Sequence, residues 1–291
     1  MTDWERLTGT PLAPFVDPFP RQGFLRIVSG YAPGDPVVLA TGATSAAFVV
    51  TEGIGRFVGA HHLTDYHSPL GTDLDALSEL VVTLDAERLS LDSLPEEAAT
   101  PLESALVAAG RSVVRHEDES TRFIDLTAAE PLGWESILRS KERHEVRRKR
   151  RRYEATIGEP ELAEGPEYFG QFVALHRSAA GDKGGFMTDE MEALFHALLA
   201  MPEARLDVLL TPDGVGAAAF GFEHTEGYSL YNSAYNAALS DVSPGIVLTD
   251  RLIARSLEAG HDRFDFLKGD EVYKRRLGAV VRPLVHLTVE L

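Results

Sequence analysis

Three short segments between Ala204 and Asn236 constrain this chain more than any other stretch. ARLDVLLTPDG, GAAAFGFEHTEG and YSLYNSAYN are rich in apolar residues, and TPDG and HTEG supply the turns between them. Apolar runs of this length bounded by turn residues read as strands. Turns this tight join strands that run in opposite directions. The segment therefore predicts a three-stranded antiparallel meander. After the loop NAALSDVSPG come IVLTDRLIARSLEAG, a helix with a glycine stop, then RFDFLKGD as strand and turn, EVYKRRLG as a short helix and PLVHLTVEL as a last strand.

Upstream, WESILRSKERHEVRRKRRRYE contains no Gly or Pro and predicts one helix over 134–154. YFGQFVALHRSAA and MEALFHALLAM predict two more. The first half opens on PLAPFVDPFP, an extended arm, and continues with PVVLATG, SAAFVVTEG and RFVGAHH as short strands. LDALSELVVTLD reads as a helix and ERLSLDSL as a strand leading into a turn. A short helix over Leu102–Ala109 stops at Gly110, and SVVRHE and RFIDL are strands. A chain of 291 residues has room for two domains. Two mixed α/β domains are expected, at 1–127 and 128–291.

Charge is unevenly placed. Between Lys141 and Arg152 stand eight Lys or Arg and two Glu, +6, so the remainder of a chain of net charge −17 carries −23. An overall charge of that sign argues against wholesale binding to nucleic acid or an anionic membrane, and leaves room only for a local anion site. There is no cysteine, which excludes thiolate catalysis, disulfides and Cys-ligated zinc. No secretory signal and no run of apolar residues able to span a bilayer is visible, so a soluble cytoplasmic protein is expected.

Five stretches can carry chemistry. On the basic helix, Arg143, Arg147 and Arg151 line one face and His144, Arg148 and Arg152 its neighbour, while Leu138, Val146 and Tyr153 form a narrow apolar seam. Such a helix is either a solvated face paired with the acidic bulk or a grip for phosphates of a cofactor or RNA. In SDVSPGIV, Ser243 suits an N-cap and Pro244 the first helical position, and a helix N-terminus attracts phosphate. In FDFLKGDEVYK, the strand end gathers Lys268, Asp270, Glu271, Tyr273 and Lys274, enough for a base, an acid and an oxyanion stabiliser, or for a solvated turn with local ion pairs. Tyr231 and Tyr235 share one face of a strand, as core residues or proton donors. In GAHHLTDYHSPLG, His61, His62 and His67 lack a completing carboxylate pattern, so no metal is expected, and Asp65 and Tyr66 are polar groups on a loop.

These residues, taken in order, carry a resemblance. R-x-x-x-R-R-K-x-R-R on the helix is followed by Leu175-His176, Lys183-Gly184-Gly185-Phe186, AAAFGF, YNSAY, Ser243-Pro244-Gly245 and the closing FDFLKGDEVYK. The set resembles the BioF2-like, or CelD-like, acetyltransferase domain of the GNAT superfamily, related to the FemABX peptidyltransferases. The likeness spans roughly residues 131 to 280, and is looser in the first half, through LTDYHSPLG and RLSLDSLP. It implies two tandem GNAT-like domains, each a mixed, mostly antiparallel sheet flanked by helices, with donor and acceptor meeting between them. Where ordinary GNAT enzymes have a glycine-rich pyrophosphate loop, this chain has SDVSPGIV, with one Gly and a Pro that lacks an N–H.

The resemblance implies an N-acyltransferase that moves an acyl group from acetyl-CoA or another acyl-CoA to an amine by direct attack. Arg147, Arg148, Arg151, Ser243, Gly245, Ile246 and Lys268 are then the cofactor-binding set. Asp65, Asp270 or Glu271 accepts the amine proton, Tyr235 or Tyr273 protonates the leaving group, and Lys274 or Lys268 offsets charge on the tetrahedral intermediate. The acceptor is a small molecule, a peptide or a glycan amine, and no membrane is involved. Two alternatives stay open: a FemABX-like transferase fed by aminoacyl-tRNA, and a non-catalytic module that binds RNA or protein through its basic helix.

Overall fold

The computed structural model describes residues 2–59, 62–129, 133–179 and 182–291. The first half runs α1 (Gln22–Val28), β1 (Pro36–Ala40), β2 (Thr44–Thr51), β3 (Ile54–Phe57), β4 (Leu70–Gly71), α2 (Leu74–Leu80), β5 (Arg88–Pro95), α3 (Glu96–Ala108) and β6 (Ser112–Asp125). The second half runs α4 (Ser140–Thr156), β7 (Glu161–Glu164), α5 (Phe169–Arg177), α6 (Asp182–Phe186), α7 (Asp189–Leu198), β8 (Ala204–Thr211), β9 (Gly214–His224), β10 (Gly227–Tyr235), α8 (Pro244–Glu258), β11 (Arg263–Lys268), α9 (Val272–Arg276) and β12 (Val280–Glu290). Met1–Thr121 with Arg282–Leu291 form one compact unit and Arg122–Val281 the other. The division thus falls inside β6, and most of β12 groups with the first unit, where the sequence suggests a break after residue 127 and a last strand that stays with the second domain.

In the first unit β1, β2 and β3 form an antiparallel meander. After α2 the chain returns as β5, which pairs parallel with β3 through Ile54–Gly55 and Arg88–Leu89 and antiparallel with β12. Phe48 and Phe57 stack across the meander at 5.1 Å, and Leu89, Leu91 and Leu94 are buried beside Leu287 and Val289.

The second unit follows the same plan. β7, β8, β9 and β10 are antiparallel in sequence order. After α8 the chain returns as β11, parallel to β10. That parallel pairing covers Gly227–Ser229 and Arg263–Asp265, and a register shift between Leu230 and Asn232 follows in β10. The parallel ladder thus spans three residues of each strand, near the start of β10 and of β11. Each unit is therefore a mixed, mostly antiparallel sheet flanked by helices, as the sequence suggests.

Why the meander packs so tightly is visible at Gly221. A Cβ there would stand 2.4 Å from the ring and hydroxyl of Tyr228, so only glycine admits that ring. The Tyr228 hydroxyl donates to Asp207 Oδ2 at 2.8 Å, and Arg255 on α8 donates to both oxygens of the same buried carboxylate. A carboxylate without water is tolerable only with such complete pairing.

The expected single helix over 134–154 is corrected in one respect. Trp134–Ile137 is a separate 3-10 turn, Arg139 is extended, and α4 starts at Ser140. Trp134 and Leu138 are both buried, and the indole N–H donates to Asp250 Oδ1 at 3.1 Å. Tertiary burial of those two side chains overrides the helical propensity of the segment. Likewise α3 begins at Glu96 rather than Leu102, with Pro101 inside it.

Candidate functional site

The site is built around the first turn of α8. Pro244 occupies the first helical position, where its missing N–H leaves no bond unmade. Ser243 is the N-cap residue, yet its side chain makes no capping bond. It holds left-handed backbone angles, φ 54° and ψ 52°, unusual for a non-glycine residue before proline and costing about 1–3 kcal/mol. Its Oγ instead accepts from the ammonium of Lys149 on α4 at 3.2 Å. The Ser243 carbonyl receives the N–H groups of Ile246 and Val247 at 3.0 and 3.1 Å. Gly245 belongs to the set of first-turn amides that no intrahelical carbonyl serves.

A cavity of about 270 Å³ opens at this turn. Ser243, Gly245, Ile246 and Thr249 form one wall. Ser233 and Tyr235, alternate residues of β10 and so on one face of the strand, form another. Lys149 and Tyr273 complete it.

Electrostatics sharpen the pocket. Burial holds the Lys149 ammonium below the ordinary lysine range, with Arg148 and Arg276 pushing the same way and Glu145 opposing them. The Tyr273 phenol is pushed far above its usual value by burial and by the nearby Glu271 carboxylate, so it stays protonated at any working pH. Tyr273 packs edge-on against Phe266, 5.9 Å between ring centres. The pocket thus offers a cation, a helix N-terminus and a protonated phenol, a set suited to an anionic handle next to a group that must take up a proton.

Of the residues expected from sequence, Tyr235, Ser243, Gly245, Ile246 and Tyr273 meet here. Others do different work. Lys274 is buried, and its ammonium donates to the carbonyls of Lys268 and Gly269 and pairs with Glu271 at 2.9 Å, so it ties down the turn between β11 and α9. Asp270 pairs with Arg122 and, at 3.7 Å, with Arg275. The Lys268 side chain is half-buried outside the pocket lining. Arg148 pairs with Glu145, and Arg147 and Arg151 line a separate cleft. Asp65 lies in the first unit. His67, also there, places Nδ1 3.0 Å from the Asp92 carbonyl, while His61 lies outside the described residues. Among the described residues no cluster of His, Asp or Glu is arranged for a metal, and no helix is long and apolar enough to cross a membrane.

Lys149 is the residue that the candidate set omits. A signal for it existed. It is three residues after Val146 and four before Tyr153, both buried, so it sits beside the apolar seam and must face the fold. Arg150, equally close to the seam, is drawn into a buried pairing. Its Nε and terminal nitrogen reach Asp250 at 2.7 and 2.8 Å, and it also meets Glu135 at 2.6 Å. The basic run therefore divides by angle into an inward lysine and an arginine face, whose edge, Arg150, is half-buried and paired.

The fold has counterparts among known proteins. The model of the acetyltransferase (GNAT) domain family matches residues 140–275. A conserved protein of unknown function from Bacteroides thetaiotaomicron is similar at 15% identity and a TM-score of 0.68, covering 92% of this chain and 90% of that one. FemX is similar at 11% identity and a TM-score of 0.65, with 92% of each chain covered. L-PGS from Bacillus licheniformis is similar at 12% identity and a TM-score of 0.61, covering 96% of this chain and 92% of that one. No curated protein sequence gives a match.

Proposed function

We propose, from the match of residues 140–275 to the acetyltransferase (GNAT) domain family, that the protein transfers an acyl group from an acyl-CoA to an amine. The observation that carries this reading is the pocket itself, where Lys149 and the Gly245 turn of α8 face Tyr273 and Tyr235. The phosphates of the donor sit at the α8 turn against the Lys149 ammonium. The acyl arm lies along Ser233 and Tyr235 of β10 toward Tyr273. The neutral amine nitrogen attacks the thioester carbonyl, a C–N bond forms, the C–S bond breaks, Tyr273 gives its phenolic proton to the departing thiolate, and the proton shed by the nitrogen returns to the Tyr273 oxygen. With no cysteine to form an acyl-enzyme on sulfur, direct attack within a ternary complex fits the chain best. The acceptor is a small-molecule, peptide or glycan amine, and acidic surroundings favour its cationic form in the encounter.

A second reading gives the same pocket to the 3′ end of aminoacyl-tRNA. Two observations favour it: the likeness to FemX and L-PGS, and an α8 turn whose Pro244 and Ser243-bonded Ile246 leave few free amides. Thermal denaturation with acetyl-CoA separates the two. Saturation at a hundred times Kd raises stability by about 2.7 kcal/mol, and Lys149→Gln should abolish most of that shift. A protein indifferent to acetyl-CoA and to free CoA, but carrying nucleic acid released by salt, would replace the first reading by the second.

A further inference from the structure

The outer arginine face of α4 is the strongest feature that the pocket leaves unused. At about 100° per residue, Arg143, Arg147, Arg150 and Arg151 fall on one side of α4, turned well away from Lys149. They line two adjoining clefts of about 460 and 430 Å³ that share Arg147 and Arg150. The larger is closed on its far side by Arg251 and Ala254 of α8. Glu135 and Glu154 line the clefts among five arginines, and the buried Asp250 stands behind them. Glu135 takes Arg147 Nε at 2.5 Å and Arg150 at 2.6 Å, and Asp250 takes Arg150 again. Asp250 also accepts from the Trp134 indole N–H and is buried, so it is not open to a ligand in the cleft. Because Arg147 is held through Nε, its two terminal nitrogens remain to face a ligand. Among the described residues Arg251 makes no ion pair, and Arg143 donates only to the Leu138 carbonyl at 3.2 Å. The carboxylates therefore orient the arginines and leave the cleft cationic.

We propose that this cleft is a second anion site, separate from the donor pocket, which takes phosphate groups that lie outside that pocket. Guanidinium groups on two facing helices, one set pinned from behind, suit bidentate binding of phosphate oxygens. The phosphates arrive either on a free phosphorylated molecule or along a nucleic-acid backbone, and the chemistry of recognition is the same.

The test uses full-length Lys149→Gln protein, in which the lysine of the donor pocket is gone, with inorganic pyrophosphate and a fluorescein-labelled oligouridylate as probes. That protein binds at least one probe. Adding Arg143→Gln and Arg251→Gln, neither of which breaks an ion pair among the described residues, weakens binding by about tenfold or more. If the polymer is the ligand, the slope of log K against log salt falls by about 0.7 for each phosphate that is no longer neutralised. Pyrophosphate that displaces the oligouridylate assigns a free phosphorylated ligand. An oligouridylate that resists displacement assigns the polymer, and either result upholds the site. Unchanged affinity in the arginine variants, or loss of all binding already in Lys149→Gln, overturns it. No CoA enters the experiment, so its outcome is independent of the donor reading.

Discussion

Arg150 grips Asp250 at two points, Nε to Oδ2 at 2.7 Å and a terminal nitrogen to Oδ1 at 2.8 Å, and so fastens α4 to α8. The Asp250 side chain is 1% exposed, so each partner depends on the other. Asp250→Ala should lower stability by about 1–3 kcal/mol, because it leaves Arg150 with Glu135 alone and the buried Trp134 indole N–H without its acceptor. Arg150→Met combined with Asp250→Leu should recover much of that loss. Urea denaturation of the two single variants and the double variant measures the coupling, and additive losses would show that the pair is not what fastens the helices.

Lys149 gives the site a pH dependence of known sign. Its folded pKa is depressed, chiefly by burial, so the unfolded chain holds that proton to a higher pH than the folded one. Stability from this group therefore rises with pH across the window between the two values. Anion binding at the α8 turn needs the proton, and so weakens through the lower, folded value, before an ordinary lysine at about 10.4 would titrate. Titration of CoA affinity against pH should show that early decline in the native protein and not in Lys149→Arg, whose charge persists.

Tyr273→Phe removes the phenol that stays protonated in the pocket. Acyl transfer should fall by about 10²–10⁴-fold in kcat with little change in KM for the donor. Tyr235→Phe, at the exposed rim, serves as the comparison. Equal rates in the native protein and Tyr273→Phe would remove Tyr273 from proton transfer.

Lys274 is predicted to act on stability. Lys274→Met leaves two carbonyls and the Glu271 carboxylate without their donor, a loss of about 1–3 kcal/mol. Chemical denaturation reads it. A variant as stable as the native protein but devoid of transfer activity would return Lys274 to the chemistry.

Gly221→Ala should destabilise by about 1–3 kcal/mol through overpacking, since its Cβ meets the Tyr228 ring at 2.4 Å. Gly221→Ala with Tyr228→Leu should relieve the clash yet remain unstable, because Asp207 loses a hydroxyl partner.

The meander and its turns were legible because short-range turn chemistry and strand composition agree there. The start of α8 was legible for the same reason, through Ser-Pro-Gly. Three features were not. Trp134 and Leu138 break the expected helix because burial, which no local pattern reports, decides their conformation. Lys274 looks catalytic in a row of charged letters and proves buried only when α9 folds back over the Lys268 and Gly269 carbonyls. Within the basic run, residue type separates nothing, and only the angle of each side chain to Val146 and Tyr153 distinguishes Lys149 from Arg147.

Ladder pairing between β10 and β11 ends at Ser229 and Asp265. Tyr228 and Phe264 lie side by side within that short ladder, their rings stacked 5.4 Å apart. The tyrosine that Gly221 admits and Asp207 anchors is thus also the rung that joins β10 to β11, so a change at any of these positions is transmitted to that join.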